Sequence, residues 1–233
     1  MKIDNINISR YGARQKSCSI QPSEIINESE KINGSVSPVF FRSEVGIKTL
    51  KIELLFQAKR SEEIEKNISD CTALLLEPRV IKIDYQNFLY TVILTKVDST
   101  NEVKSGAASI VTYNFIGYAC GTRKKLDFNQ ALKAEWKIKG NIPTSAVVTI
   151  TPTLSIQSAT LTGFSDDPIT IRNLKKDQAV ILDGEAGTVT EAGQNKFKDV
   201  DLWAFPRLRP GMQTVTCDVE SLRIHVEYNP RYL

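Results

Sequence analysis

Residues 50–57, Leu50-Lys51-Ile52-Glu53-Leu54-Leu55-Phe56-Gln57, set the fold class. Leu50, Ile52, Leu54 and Phe56 fall on one side of an extended chain and Lys51, Glu53 and Gln57 on the other, with Leu55 the exception, because successive strand side chains point to opposite faces. The stretch predicts a strand with one buried face. Just downstream the period changes: Ile64, Ile68, Cys71 and Leu75 recur at helical spacing. Ser61 is suited to cap this helix, Glu62 and Glu63 favour the positive end of its dipole, and Pro78 closes it, predicting a helix over about 61–77. A single long helical pattern among strands packs across a sheet, not in a bundle.

Working outward, 80–85 and 88–97 read as strands joined through Gln86-Asn87, and 110–118 as a strand with Val111, Tyr113 and Phe115 on one face. Upstream, Asn33-Gly34 is a two-residue turn signal, but its flanks are too polar for a buried hairpin, so 22–41 reads as a projecting arm. Between Gly121 and Asn141 the pattern shifts to a basic cluster and a mixed polar stretch, then Lys139-Gly140-Asn141-Ile142-Pro143. This places a boundary near residue 138, giving domains 1–138 and 139–233. Beyond it, short strands at 146–150, 158–161, 169–171, 179–182, 188–191, 214–219 and 222–228 alternate with turn signals such as Asp166-Asp167-Pro168, Asp183-Gly184 and Pro210-Gly211. That is the rhythm of a β-sandwich. The expected architecture is mainly β: an N-terminal β-sandwich-like domain with one α-helix, then a second sandwich.

Across 233 residues, 41% are apolar and 24% charged, as in an ordinary globular protein. A formal charge of +3 falls short of the basic balance of a dedicated nucleic-acid binder, so no specific nucleic-acid partner is expected. The sequence shows no apolar run long enough to span a bilayer and no signal-peptide core at its start, so no membrane partner is expected, and folding is expected in cytoplasm. Cys18, Cys71, Cys120 and Cys217 lack zinc-ligand spacing and are expected to be reduced.

The residues that could carry chemistry have plainer readings. His225, the only histidine, stands in Leu222-Arg223-Ile224-His225-Val226-Glu227-Tyr228 with no nucleophile-elbow glycine pattern in the chain, and reads as a strand histidine with a local hydrogen bond. The carboxylate pairs Asp166-Asp167 and Asp199-Val200-Asp201 sit among turn residues, which favours turns over general acid and base. Neither phosphate-binding glycine fingerprint occurs. The run Arg123-Lys124-Lys125 reads as a solvated linker, and Trp136 and Trp203 as buried or interface residues or, alternatively, a sugar-stacking platform. No catalytic, cofactor-binding or metal-binding residues are expected, and no cofactor.

Several stretches, taken in order, resemble the distal tail protein (Dit) family of long-tailed phages and prophages. In the first domain these are Phe41-Arg42-Ser43-Glu44-Val45-Gly46, Leu50-Lys51-Ile52-Glu53-Leu54, Leu74-Leu75-Leu76-Glu77-Pro78 and Ile81-Lys82-Ile83-Asp84-Tyr85. In the second they are Gly140-Asn141-Ile142-Pro143-Thr144, Val180-Ile181-Leu182-Asp183-Gly184, Phe205-Pro206-Arg207-Leu208-Arg209-Pro210-Gly211 and Tyr228-Asn229-Pro230-Arg231-Tyr232. The resemblance implies a first domain that builds a homohexameric ring at the virion tail tip, and a galectin-like β-sandwich as the second. It also implies an assembly hub, not an enzyme, joining the tail tube protein to the tail-associated hub or lysin protein and to receptor-binding proteins. Within that reading Ile32, Asn33, Gly34, Val36 and Phe40 are the expected subunit-interface residues and Trp203 a partner or glycan surface. The alternative is a carbohydrate-binding host-recognition module.

Overall fold

The computed structural model of the chain describes residues 1–102 and 108–233. It divides into two compact units, Met1–Cys120 with Leu233, and Gly121–Tyr232. The boundary therefore stands 18 residues before the one expected near 138, since strands at 124–129 and 133–138 pair with strands near the chain's end. The Lys139–Pro143 turn signal lies inside the second unit.

The first unit contains β1 (Lys2–Ile3), β2 (Ile6–Asn7), β3 (Ala13–Ile20), β4 (Ile25–Glu30), β5 (Val39–Val45), β6 (Lys48–Gln57), α1 (Ser61–Leu74), β7 (Arg79–Lys82), β8 (Leu89–Glu102) and β9 (Ala108–Cys120). Its main sheet runs β2-β1-β7-β8-β9-β6-β3, with antiparallel neighbours. β6 pairs with β9 from Lys48↔Gly117 to Gln57↔Ala108. The alternation read from 50–57 holds: Leu50, Ile52, Leu54 and Phe56 are buried, as are Val111, Tyr113 and Phe115 across the ladder. Helix α1 covers this face with Ile64 and Cys71, and the Thr72 hydroxyl, 2.9 Å from the Tyr113 hydroxyl, ties helix to sheet.

Three local expectations change. Ser61 is the first helical residue and not the cap; Arg60 holds the extended cap position (φ −127°, ψ 145°) without a side-chain cap bond. The helix stops at Leu74, short of 77, where the Arg79 guanidinium Nε donates to the Leu74 carbonyl at 2.8 Å and the buried Leu75 takes the C-cap position. β7 and β8 are joined by residues 83–88, longer than a two-residue turn, since Ile83 is still buried and Tyr85 takes a left-handed φ of 66°.

The second unit contains β10 (Lys124–Asn129), β11 (Lys133–Ile138), β12 (Thr144–Pro152), β13 (Ile156–Thr162), β14 (Ile169–Leu174), β15 (Val180–Asp183), β16 (Thr188–Glu191), β17 (Gln194–Asn195), β18 (Val200–Asp201), β19 (Arg207–Leu208), β20 (Gly211–Cys217) and β21 (Leu222–Tyr228). One sheet runs β10-β21-β12-β15-β16-β17, with β19 also on β12; the other runs β11-β20-β13-β14-β18. Their inner faces share a core that includes Val148, Ile150, Leu161, Ile171, Leu182, Val215, Ile224 and Val226, the sandwich expected from the strand rhythm. Trp136 packs edge-on to Phe128, with ring centroids 6.3 Å apart, and belongs to this core.

Gly117 sets how closely β8 approaches β9. A Cβ there would lie 2.1 Å from the Thr91 carbonyl oxygen, a backbone atom that can move only with its strand. Gly117→Ala is expected to destabilise the first unit by about 1–3 kcal/mol, as overpacking does, read as a lower midpoint in urea denaturation; an unchanged midpoint would show that the ladder yields freely.

Candidate functional site

Strands β4 and β5 pair only with each other, and every residue of both is exposed. The arm expected at 22–41 is thus a hairpin, 25–45, whose turn spans 31–38 and is closed by the Ser35 amide donating to the Ile32 carbonyl at 3.0 Å. Gly34 sits in that turn at φ 89°, where glycine is at ease.

The register sorts its side chains into two unlike faces. The pairs Ile25↔Val45, Asn27↔Ser43 and Ser29↔Phe40 make an uncharged face, on which the Ser43 hydroxyl donates to Asn27 Oδ1. Ile26↔Glu44, Glu28↔Arg42 and Glu30↔Val39 make the other. There the Arg42 guanidinium donates twice to Glu28, at 2.8 Å each, and its Nη1 lies 3.4 Å from Glu44. Of the expected interface residues, Phe40 (61% exposed) stands on the uncharged face, while Ile32, Asn33, Gly34 and Val36 (98% exposed) occupy the tip. Ile25 and Val45, which sequence reasoning did not single out, are exposed on the same uncharged face.

In the second unit Trp203 is 85% exposed, unlike Trp136. Phe205, two residues on, meets Phe197 with ring centroids 6.3 Å apart, and Phe197 lines a cleft of about 230 Å³ with Thr188, Thr190 and Asn195.

Several of the ionisable candidates are held in structural pairs. Asp166 accepts from both Arg207 and Arg209. Asp199 accepts from Asn173 Nδ2 at 2.8 Å and lies 3.4 Å from the buried Lys196 ammonium; the Asn173 bond first, then Lys196, holds its carboxyl below the usual range. Asp201 lies 3.7 Å from Arg172. The basic run packs on the sandwich instead of forming a linker: Lys125 Nζ is 2.8 Å from Glu227, and Arg123 is 3.4 Å from Glu227 and 3.9 Å from Glu185. His225, on β21, places Nδ1 2.7 Å from Asp127 Oδ1 on the neighbouring β10, and Nε2 3.3 Å from Glu227 Oε1. Burial pushes the Cys71 thiol up to about 11, so it stays protonated at neutral pH. Among the described residues no group of three His, Cys, Asp or Glu side chains is arranged to hold a metal ion.

Residues 139–232 match the family described as siphovirus-type tail component, C-terminal domain. No curated protein matches the chain in sequence. Among solved structures, the SPP1 Dit protein, described as a paradigm of the hub of the adsorption apparatus in phages infecting Gram-positive hosts, superposes with a TM-score of 0.70 at 11% identity, covering 99% of this chain and 98% of its own. A chain of the phage P2 baseplate in its activated conformation with calcium gives 0.61 at 12% identity, covering 95% and 92%. The strontium form of that baseplate gives 0.60 at 13% identity, with the same coverage. At such identities the likeness establishes a shared fold.

The hydrogen bond that His225 donates to Asp127 first, and then the one to Glu227, raises the His225 pKa above its ordinary 6.5. Charged His225 therefore stabilises the fold fully below pH 6.5, and the contribution fades as pH rises through the raised value. An NMR titration of the His225 imidazole should give a pKa above 6.5, and Asp127→Asn should bring it down. Equal values in both proteins would dismiss the pairing.

Proposed function

We propose, from the match of residues 139–232 to the siphovirus-type tail component domain, that the protein is a structural distal tail protein, a hub of the phage tail and not an enzyme. In this reading six copies close a ring at the virion tail tip, assembled in the bacterial host's cytoplasm. The ring joins the tail tube protein to the tail-associated hub or lysin protein and presents the second domain to receptor-binding proteins. The first domain, 1–120, forms the ring, and the sandwich, 121–232, forms the outward module.

The observation that carries the reading is the β4–β5 hairpin. An isolated two-stranded hairpin is marginal in water, and this one leaves Ile25, Phe40 and Val45 on a face without charge. A neighbouring copy that covers this face removes apolar area from water, at roughly 25 cal/mol per Å². A cyclic assembly repeats one heterologous contact until it closes, and a hairpin gripping the next subunit, through Phe40 and the tip residues Ile32, Asn33, Gly34 and Val36, supplies such a contact. The ionic face, with Arg42 already satisfied by Glu28 and Glu44, is suited to remain in solvent.

Trp203 supports a second reading. An indole 85% exposed offers a flat apolar surface to the face of a pyranose, which would make the second domain a carbohydrate-binding recognition module. Glycan-array binding by the wild-type protein that disappears in Trp203→Ala is expected if this holds; silence of the wild type dismisses it.

The hub reading is tested by multi-angle light scattering across a concentration series, where a species of six chain masses is expected. Replacing Ile25, Phe40 and Val45 together by serine should shift the population to monomer with the far-UV circular dichroism retained. A wild type that stays monomeric at high concentration without tail partners, and does not join purified tail tubes, would overturn the hub.

A further inference from the structure

The segment Pro206-Arg207-Leu208-Arg209-Pro210 builds a charged cleft. Leu208, the second residue of β19, is buried, and Arg207 and Arg209 on either side of it are exposed. The flanking prolines fix the backbone on either side. Opposite them runs the loop after β13. Phe164 anchors it in the core and its carbonyl accepts the Arg207 amide at 2.7 Å; Gly163, at φ 89°, lies against the Thr214 carbonyl with no room for a Cβ. Gln213 braces the floor, donating to the Gly163 carbonyl and accepting the Arg209 amide at 2.8 Å. The resulting cleft, of about 250 Å³, is lined by Arg207, Arg209, Asp166, Met212, Gln213 and Thr214 among others.

One carboxylate serves two guanidiniums here. Arg207 donates to one Asp166 oxygen and Arg209 to the other, each through a single Nη2. A guanidinium carries five N–H donors in a fork that matches a carboxylate edge, so the pair keeps a net positive charge and donors to spare. Both arginines are about half exposed or more, and Met212 beside them is 71% exposed. Arginine and methionine are residue types enriched at protein interfaces.

We propose that this cleft is a docking site for an acidic segment of a partner protein, with Asp166 as a resident carboxylate that the partner's Asp or Glu displaces. The methionine and the arginine stems give the apolar contact, and the guanidinium forks read the carboxylate. Asp166, tethered in the same chain, competes at high effective concentration, so the site favours a partner presenting several carboxylates over a lone ion. This deepens the adaptor reading by naming the chemistry of a partner, and rests on it only for the partner's place in the tail.

The test uses the full chain and a fluorescein-labelled hexaglutamate peptide, followed by anisotropy, with hexaglutamine as the uncharged control. Saturable binding of hexaglutamate alone is expected. Asp166→Asn should tighten it severalfold by removing the competitor, whereas Arg207→Ala with Arg209→Ala should weaken it by about tenfold or more, the scale of lost charge-assisted contacts. Should that double variant fail to fold, Arg207→Lys with Arg209→Lys keeps the charge without the fork and should still weaken binding; Lys124→Ala with Lys137→Ala should not. No binding by either the wild type or Asp166→Asn would overturn the proposal, as would weakening by Lys124→Ala with Lys137→Ala equal to that by Arg207→Ala with Arg209→Ala, which would mark nonspecific charge. Binding of polygalacturonate through the same arginines while hexaglutamate stays silent would reassign the cleft to an anionic glycan. Each of these outcomes leaves the light-scattering test of the ring untouched.

Discussion

The β6–β9 ladder is the contact on which the rest of the first domain depends. It joins the two strands whose inner sides, Leu50, Ile52, Leu54 and Phe56 facing Val111, Tyr113 and Phe115, make the centre of that core. β3 has little apolar content of its own and is held at the sheet edge by pairing with β6. β8 is aligned by β9 through Gly117, and the helix is seated by the Tyr113 hydroxyl. The exposed hairpin also inherits its footing from this ladder, because β5 ends at Val45 and β6 begins at Lys48.

In the second domain the organising constraint is the closing of two sheets over one core. β21 lies between β10 and β12, and β20 between β11 and β13, so the strands just before 139 complete both sheets with partners from the chain's far end. Charge then settles in compact sets: Asp127, His225, Glu227, Lys125 and Arg123 on an outer face, and the buried Lys196 with Glu191 and Asp199 around the short helix at 197–199. Carboxylates so engaged are held ionised, as the lowered pKa values of Asp199 and Glu227 indicate, and an ionised, paired carboxylate is a poor proton donor. Such ionic sets give a surface its pattern.

How much of this was legible in the sequence follows the physics of each element. Strands with one wet face, such as β6, β16 and β21, announce themselves by alternation, and their limits are close to those expected. β3, β10 and β11 were silent because their burial is supplied by neighbours distant in the chain, and a polar string such as Ala-Arg-Gln-Lys-Ser-Cys-Ser-Ile acquires its strand from β6. The same blindness moved the domain boundary. At the helix, a serine beside two glutamates suggested a cap, but the chain enters one residue earlier, and the stop is set by an arginine contact that no local pattern encodes. Of the candidate surfaces, Trp203 and the Asn33-Gly34 tip could be named in advance. The pairing of Arg207 and Arg209 with Asp166 could not, since it joins residues about 40 apart.

The hairpin's sequence also bears on how assembly would proceed. Its strands bury nothing within the chain, so its internal stabilisation comes from the ladder, the Arg42–Glu28 fork and the Asn27–Ser43 bond, all in water, where exposed ion pairs contribute little. In the proposed ring, a segment this weakly held would gain most of its order from the neighbour that covers it, and its folding would be coupled to that contact. Subunits would then stay soluble and separate while dilute, and close cooperatively once concentration, or a tail partner that aligns the first few, brings the uncharged faces against their receiving surfaces. Polar residues interspersed on that face, Asn27, Ser29 and Ser43, keep the free subunit from pairing indiscriminately through an exposed edge. Their neutrality, in place of charge, would lower the cost of burying the face in the proposed ring.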